Sequence, residues 1–321
     1  MFSMLKRMSI LRSEEYDFEK VIGRLDELME HEGVMKAGRL SVRQRGFRGD
    51  PMSRVPLLKK PLLLPDGISN FQQLDRSYDD LDARVCRNTI EPRELEELER
   101  FAANLGVVTM GYTKVDPDNI FIDRGILFDR AIVISLEMPA EKVRLAPSYE
   151  TLKMIERTYA RTGMVVNRLA KCLRAKGFGA QAGPGLGGFT AYPVLAAEAG
   201  MGHFGRSGLL LTPENGPSHR LAVVYTNIEN LPVRDTHRHD WIAEYCAKCG
   251  VCIKTCPAGA IYETPLRLNE KHIAHIEYDR CMPYFADNYG CSVCVKECPF
   301  FKSGYRKLHE RHSRSVEVAF T

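Results

Sequence analysis

The spacing of apolar residues along the chain changes near residue 91. Before that point only residues 13–34 show helical spacing, with Ser13 as the expected N-cap. Residues 39–67 are rich in Arg, Pro and Gly, which predicts an extended arm lying over another surface or a flexible linker. We therefore assign residues 1–90 to an N-terminal arm and helical segment.

From residue 92 the pattern alternates regularly between helix and strand. Helices are predicted at 92–106, which begins with proline and ends with glycine, at 148–177, and at 192–202. Buried strands are predicted for the apolar runs at 107–115, 130–138, 208–212 and 220–228. Turn residues separate the last two strands, so a hairpin is expected there. This order predicts an α/β (α+β) core over residues 91–235.

Composition and charge exclude several classes of protein. Apolar residues make up 44% of the 321 residues, and 45 basic side chains nearly balance 41 acidic ones. A net charge of +4 is too small to indicate a nucleic-acid partner. No apolar run is long enough for a membrane span, and the first twenty residues lack an apolar signal core. We therefore expect a cytoplasmic protein, in which dense cysteines indicate metal binding.

Eight of the ten cysteines lie within 53 residues and form two related motifs. The first is Cys-x2-Cys-x2-Cys-x3-Cys-Pro, and the second is Cys-x9-Cys-x2-Cys-x3-Cys-Pro. In two-cluster ferredoxins the cysteine before the proline ligates the other cluster. Two 4Fe–4S clusters are therefore predicted, one held by Cys246, Cys249, Cys252 and Cys298, the other by Cys256, Cys281, Cys291 and Cys294.

The alternatives to these clusters explain less of the pattern. Structural zinc uses two pairs of ligands and accounts for neither the triple spacing nor the repeat. Disulfides would need an oxidising compartment. Residues 236–302 are therefore predicted to form a bacterial dicluster ferredoxin-like domain, followed by a tail at 303–321. Cys172 lies in the long predicted helix, where we expect a small core residue.

The sequence GPGLGGF at 183–189 has three open interpretations. It lacks both the G-x-G-x-x-G pattern and a following Lys-Ser/Thr, so a nucleotide loop is a poor match. Its glycines would let the backbone approach a flat ligand closely, or they form a flexible turn.

Residues 196–227 carry a resemblance to a known family. The stretch AAEAGMGHFGRSGLLLTPENGPSHRLAVVYTN resembles the corrinoid-binding core of reductive dehalogenases and, more distantly, epoxyqueuosine reductases. The matching features are Ala199-Gly200-x-Gly202, Gly205-Arg206-x-Gly208, Thr212-Pro213-x-x-Gly216-Pro217, Arg220 and Thr226. The cysteine segment follows and ends in CPFF, as in the dehalogenases. The resemblance covers residues 92–302.

The resemblance implies a nitroreductase-like core that holds a base-off cobalamin. It places the cofactor against a set of glycines with two larger residues, namely Gly185, Gly187, Gly188, Tyr192, Gly200, Gly202, Arg206 and Gly208. It also implies a tyrosine proton donor supported by a basic side chain, for which Tyr159 and Arg220 are the best matches. Tyr192 and Arg206 compete for these roles, and Tyr159 also suits a place in the core.

The implied function is an iron–sulfur, corrinoid-dependent reductase. A ferredoxin or flavoprotein would supply electrons, which cross two 4Fe–4S clusters to a cobalamin that reduces a small organic substrate. One alternative is a corrinoid-free dicluster electron-transfer protein that serves a partner enzyme. Another is an epoxyqueuosine-type tRNA reductase, but HFGRSG replaces that group's Gly-x-x-Gly-Lys. His203 stands where dehalogenases commonly have an acidic residue, and an exposed loop histidine is the simpler interpretation.

Overall fold

The computed structural model of the protein describes residues 18–43, 52–82, 84–232 and 236–319. The predicted cap Ser13 lies outside these ranges. The helices are α1 (Phe18–Glu30), α2 (Leu64–Arg76), α3 (Pro92–Asn104), α4 (Ala140–Val143), α5 (Tyr149–Ala175), α6 (Tyr192–Glu198), α7 (Trp241–Cys249), α8 (Val251–Thr255), α9 (Tyr278–Asp287), α10 (Val293–Glu297), α11 (Pro299–Ser303) and α12 (Tyr305–Ala319).

The strands form one larger sheet and three short pairs. They are β1 (Met35–Lys36), β2 (Val107–Lys114), β3 (Gly125–Ile126), β4 (Arg130–Glu137), β5 (Ala180–Gly183), β6 (His203–Phe204), β7 (Leu210–Leu211), β8 (His219–Thr226), β9 (Ile261–Arg267) and β10 (Ile273–Ile276). The four-stranded sheet has the order β2-β4-β8-β5, and every neighbouring pair in it is antiparallel. Of the two predicted classes, the arrangement is therefore α+β, since parallel strands are absent from this sheet.

The sheet is the middle layer of three. Along β4, Ile132 and Ile134 pack on one side with α3 and α5, while Ala131 and Val133 pack on the other side with α6. All four side chains are fully buried. Because successive strand residues point to opposite faces, helices on both faces require a continuous apolar run. The run AIVI in the sequence is such a run.

The long helix α5 begins and ends where the sequence predicts. The Ser148 hydroxyl accepts a hydrogen bond from the Thr151 N–H at 3.2 Å, which caps the first turn. Gly177 follows the helix with φ of +85°, a conformation that glycine adopts without strain. Helix α3 is likewise confirmed, with a capping box between Glu91 and Glu94.

Two predictions for local structure were wrong, and one strand was missed. The strand at β7 does not pair with β8 as a hairpin; it pairs with β6 instead, and the intervening loop packs Gly216 against the backbone of Phe300. The part of the expected arm from Leu57 onwards is helical: Leu57–Leu62 forms a 3-10 helix, and α2 follows with Pro65 in its first turn, where proline is favourable. Strand β5 was missed, since its sequence AQAG has no β-branched residue.

The cysteine segment joins the sheet through the loop before β8. A Cβ atom on Gly216 would lie 3.0 Å from the carbonyl carbon of Phe300. Gly216 also has φ of +55°, so a side chain there would be both strained and crowded. This close contact fixes the cysteine segment next to the start of β8.

Replacement of a fully buried residue in the central strand tests this layered core. Ile134→Ala is expected to lower the free energy of unfolding by about 2–5 kcal/mol, because it leaves a cavity between the sheet and α5. Val108→Ala, at a residue with 42% exposure, is the matched control and should change it by less than about 1 kcal/mol. Urea denaturation followed by circular dichroism measures both values. Equal losses would contradict the buried position of Ile134.

Candidate functional site

Glycine and left-handed residues shape both cysteine loops. In the first motif, Gly250 has φ of +59° and separates helices α7 and α8 between Cys249 and Cys252. In the second motif Gly290, Cys291 and Ser292 have φ of +73°, +33° and +63° in succession. Non-glycine residues with positive φ are strained and are concentrated at functional sites. Successive backbone N–H groups in such turns can also form a concave site that binds an anion.

The structure gathers the eight thiols into two groups of four. Cys246, Cys249, Cys252 and Cys298 line one small cavity together with Tyr245 and Phe300. In the other group, burial raises the pKa values of Cys281, Cys291 and Cys294, and the nearby Cys256 sulfur raises all three further. Each group therefore takes three cysteines from one motif and the cysteine before proline from the other.

Burial disfavours the thiolate form of several of these cysteines. It raises the pKa of Cys246 and Cys281 to about 11 and that of Cys294 and Cys298 to about 12. Binding iron must therefore release protons from the thiols. Within the described residues, no three Cys, His, Asp or Glu side chains converge closely enough to hold a single metal ion. A four-iron cube takes one thiolate at each iron and spaces its ligands further apart.

The first thiol group touches the predicted cofactor residue Arg206. The backbone N–H of Arg206 hydrogen-bonds to Cys246 and lowers the pKa of that thiol against the larger effect of burial. The Arg206 guanidinium donates to the Glu263 carbonyl at 2.7 Å. Gly208, with φ of +76°, packs against His275, which also stacks on Phe204 at 6.0 Å. Arg206 and Gly208 thus lie between the cysteine segment and the core.

The predicted pair Tyr159 and Arg220 is brought into contact. The Arg220 Nη1 donates to the Tyr159 hydroxyl at 3.4 Å, and its guanidinium carbon lies 4.3 Å from the centre of the tyrosine ring. The guanidinium Nε also contacts Thr158 Oγ1 at 3.4 Å. Strand β8 extends beyond β5, which ends opposite Val223, so Arg220 and Tyr159 are only half-buried.

The second thiol group lies beside this pair. Tyr159 and Cys294 pack against the same apolar cluster, whose buried members include Ile155 and Val295. The two thiol groups are also neighbours, since Cys252 of one group raises the pKa of Cys294 of the other. The described residues therefore form a continuous series from the first thiol group to the second and then to Tyr159.

Two of the predicted cofactor glycines lie at the edge of this site. A Cβ atom on Gly185 would lie 3.1 Å from the Tyr159 ring, and one on Gly187 would lie 2.8 Å from Leu74. Both glycines are partly exposed. Gly187 has φ of +76°, so the turn beside Tyr159 requires glycine at that position.

The other predicted cofactor residues are buried against the chain's own groups. Tyr192 donates to the Pro184 carbonyl at 3.1 Å, and burial raises the pKa of its phenol well above the usual value. A Cβ atom on Gly188 would lie 2.6 Å from the Tyr192 ring. Gly202 lies against the Leu211 carbonyl, and Gly200 ends α6 with φ of +67°. Packing accounts for glycine at positions 188 and 202, and the positive φ accounts for it at position 200.

Two further residues beside the pair were not predicted from the sequence. Burial raises the pKa of Glu156, although Asn70 donates to it and Arg220 is near. Burial lowers the pKa of His219 to about 4, and its Nδ1 has no hydrogen-bond partner within the described residues. Helical spacing could have indicated Glu156, which lies three residues before Tyr159 on α5.

Residues 245–301 match the family described as 4Fe-4S dicluster domain. The tetrachloroethene reductive dehalogenase of Desulfitobacterium hafniense is 32% identical over 220 residues, which cover 64% of this chain and 39% of that relative. The epoxyqueuosine reductase of Francisella cf. novicida is 32% identical over 114 residues, or 33% of this chain and 31% of that relative. The chain is similar to reductive dehalogenases and, over a shorter stretch, to epoxyqueuosine reductases, and it carries a 4Fe-4S dicluster domain. The resemblance predicted from residues 92–302 is confirmed.

Solved structures show the same fold. The catabolic reductive dehalogenase NpRdhA, in complex with 3-bromo-4-hydroxybenzoic acid, superposes with a TM-score of 0.68 at 20% identity, covering 83% of this chain and 40% of that one. This reductive dehalogenase-like chain therefore spans less than half the length of these dehalogenases. Among its described residues, no helix combines the length and the apolar character needed to cross a bilayer.

Removal of one crossing thiol tests the grouping. Cys298→Ala is expected to lower the iron content after anaerobic reconstitution from about eight toward about four atoms per chain, because one group loses a ligand. Cys172→Ala, at a partly buried core cysteine outside both groups, should leave iron unchanged. Iron and acid-labile sulfide assays measure both variants. Full iron in Cys298→Ala would show that this thiol binds no cluster.

Proposed function

We propose that the chain is an iron–sulfur reductase that uses a corrinoid to reduce a small organic substrate. The observation that supports this most directly is the contact of Tyr159 and Arg220 beside the thiol group of Cys294. Electrons delivered to that group would arrive next to a proton donor. In this proposal residues 91–235 form the nitroreductase-like core and residues 236–302 the dicluster domain.

The residues at the exposed edge fit a corrinoid, whereas the buried ones do not. Gly185, Gly187 and Arg220 would hold it, since they offer close backbone approach and a cationic donor to its amide side chains. When bound, the corrinoid would supply a low-valent cobalt as the reductant.

The roles of the chain's own residues follow from their contacts. Tyr159 would donate the proton, and Arg220 would hold its hydroxyl and stabilise both the developing phenolate and an anionic leaving group. For an organohalide, two electrons and one proton convert a carbon–halogen bond into a carbon–hydrogen bond and release halide. Organohalides are the substrate class to test first, because the named relatives are reductive dehalogenases.

A second candidate is a corrinoid-free dicluster protein that passes electrons to a partner enzyme. It is favoured by the buried set, in which Tyr192 and Leu211 already occupy the space beside Gly188 and Gly202. This function requires the two thiol groups but does not require a pocket for a corrinoid. The two candidates differ in whether the loaded chain retains a corrinoid.

Corrinoid retention distinguishes these candidates. Protein reconstituted anaerobically with iron, sulfide and cobalamin is expected to keep a corrinoid absorption spectrum through gel filtration. Gly185→Phe should abolish retention, because its side chain would fill the space beside Tyr159, and Gly67→Phe, on a glycine with open space around it, should not. Protein with eight irons and no corrinoid would favour the electron-transfer candidate.

Turnover tests the proton donor. Tyr159→Phe is expected to lower kcat by about 100-fold or more, because the phenol proton is lost. Tyr149→Phe, on the same helix but with its hydroxyl on the Lys59 carbonyl, is the control and should stay within about twofold. The assay follows halide release from tetrachloroethene and 3-bromo-4-hydroxybenzoate at full iron and corrinoid content. An unchanged kcat in Tyr159→Phe would make this tyrosine a packing residue.

A further inference from the structure

Aromatic rings surround the first thiol group on its outer side. The Trp241 ring lies with its centre 4.9 to 6.1 Å from five other rings, those of Tyr245, Phe300, Tyr305, His309 and His312. Trp241 and Tyr305 belong to the same apolar cluster as Cys246 and Cys298. The aromatic layer therefore lies directly against the thiols and is covered on its outer side by α12.

The surface over this aromatic layer is cationic. Residues 241–255 and 298–314 carry seven Lys and Arg side chains but only two Glu. Lys248, Lys254, Lys307 and Arg311 form no ion pair with any other part of the described chain. The Arg311 charge acts on the same Tyr245 phenol as the Cys249 and Cys246 sulfurs, so Arg311 lies close to the thiols, and Lys248 lies between two of the cysteines in sequence.

The positions of the two thiol groups indicate at which group electrons would enter the chain. The group with Cys294 packs with Tyr159, at the candidate reaction site. The group with Cys246 lies on the other side of it and meets exposed residues, since Ala247 and Lys248 between its cysteines are exposed. An electron that enters at the first group would reach the reaction site through the second.

We propose that the surface formed by α7 and α12 is the docking site of an acidic ferredoxin, and this rests on the proposed function as an iron–sulfur reductase. A single electron would pass from the reduced cluster of the donor, which is oxidised, to a 4Fe–4S cluster held by Cys246, Cys249, Cys252 and Cys298, which would be reduced from the 2+ to the 1+ state. The transfer moves no proton and breaks no bond. Complementary charge raises the association rate of such partners and makes that rate depend on salt.

The experiment measures reduction of the chain's clusters in a stopped-flow instrument, with no corrinoid or substrate present. The probe is a reduced acidic bacterial ferredoxin, and the chain is reconstituted to full iron. Lys307→Glu/Arg311→Glu is expected to slow cluster reduction at least about tenfold at low ionic strength. The wild-type rate should fall steeply with added salt, while the rate of the variant should change little.

Two controls isolate the docking step. Arg93→Glu/Lys171→Glu reverses the same number of charges at exposed residues of α3 and α5 and should keep the wild-type rate within about twofold. The small reductant methyl viologen should reduce the clusters of every variant at similar rates. Lys307→Gln/Arg311→Gln is expected to give an intermediate loss at full iron content.

Several results would overturn the docking site. They are a wild-type rate that does not depend on salt, an equal loss in the Arg93→Glu/Lys171→Glu control, or full-speed reduction of Lys307→Glu/Arg311→Glu by the ferredoxin. Failure of the proposed function is a separate result, because it would appear as missing iron in the wild-type chain or as absent turnover with rapidly reduced clusters.

Discussion

The crossing of two cysteines is the constraint on which the rest of the structure depends. Cys298 lies with the thiols of the first motif, and Cys256 lies with those of the second. Each motif places only three of its four cysteines in one group, so the segment between residues 246 and 298 must close as one unit. The prolines that follow both crossing cysteines hold the chain extended there.

This closed unit is useful because of where the core places it. The loop before β8 packs Gly216 on Phe300, and the apolar cluster of Ile155 and Val295 joins α5 to α10. Helix α5 carries Tyr159 into that cluster, and β8 carries Arg220 to the tyrosine hydroxyl. Two elements distant in sequence thus meet beside the second thiol group through ordinary core packing.

The sequence allowed prediction of features that depend on local chemistry. The cap at Ser148, the stop at Gly177 and the apolar strand β4 all follow from a few neighbouring residues. The pairing of Tyr159 with Arg220 was anticipated only through the family resemblance, since 61 positions separate them. Spacing alone could indicate two clusters, and it left the path between them and the core undetermined.

What escaped prediction depends on tertiary contacts. Strand β5 has a sequence without strand preference and exists because β8 offers it a partner. Adjacent glycines of the same stretch also have different environments. Gly187 lies in a partly exposed turn, while Gly188 leaves room for the Tyr192 ring. The antiparallel arrangement of the sheet also depends on how the connections run between its strands. The order of helices and strands along the chain does not specify this.

The single tryptophan of the chain stands against only one of the two thiol groups. Iron–sulfur clusters absorb broadly in the near ultraviolet and visible, so a cluster at Cys246 and Cys298 would quench indole fluorescence by energy transfer. The fluorescence intensity of Trp241 would therefore report mainly on the occupancy of that one cluster. Assembly of the first cluster can then be timed separately from total iron uptake, without attaching any label.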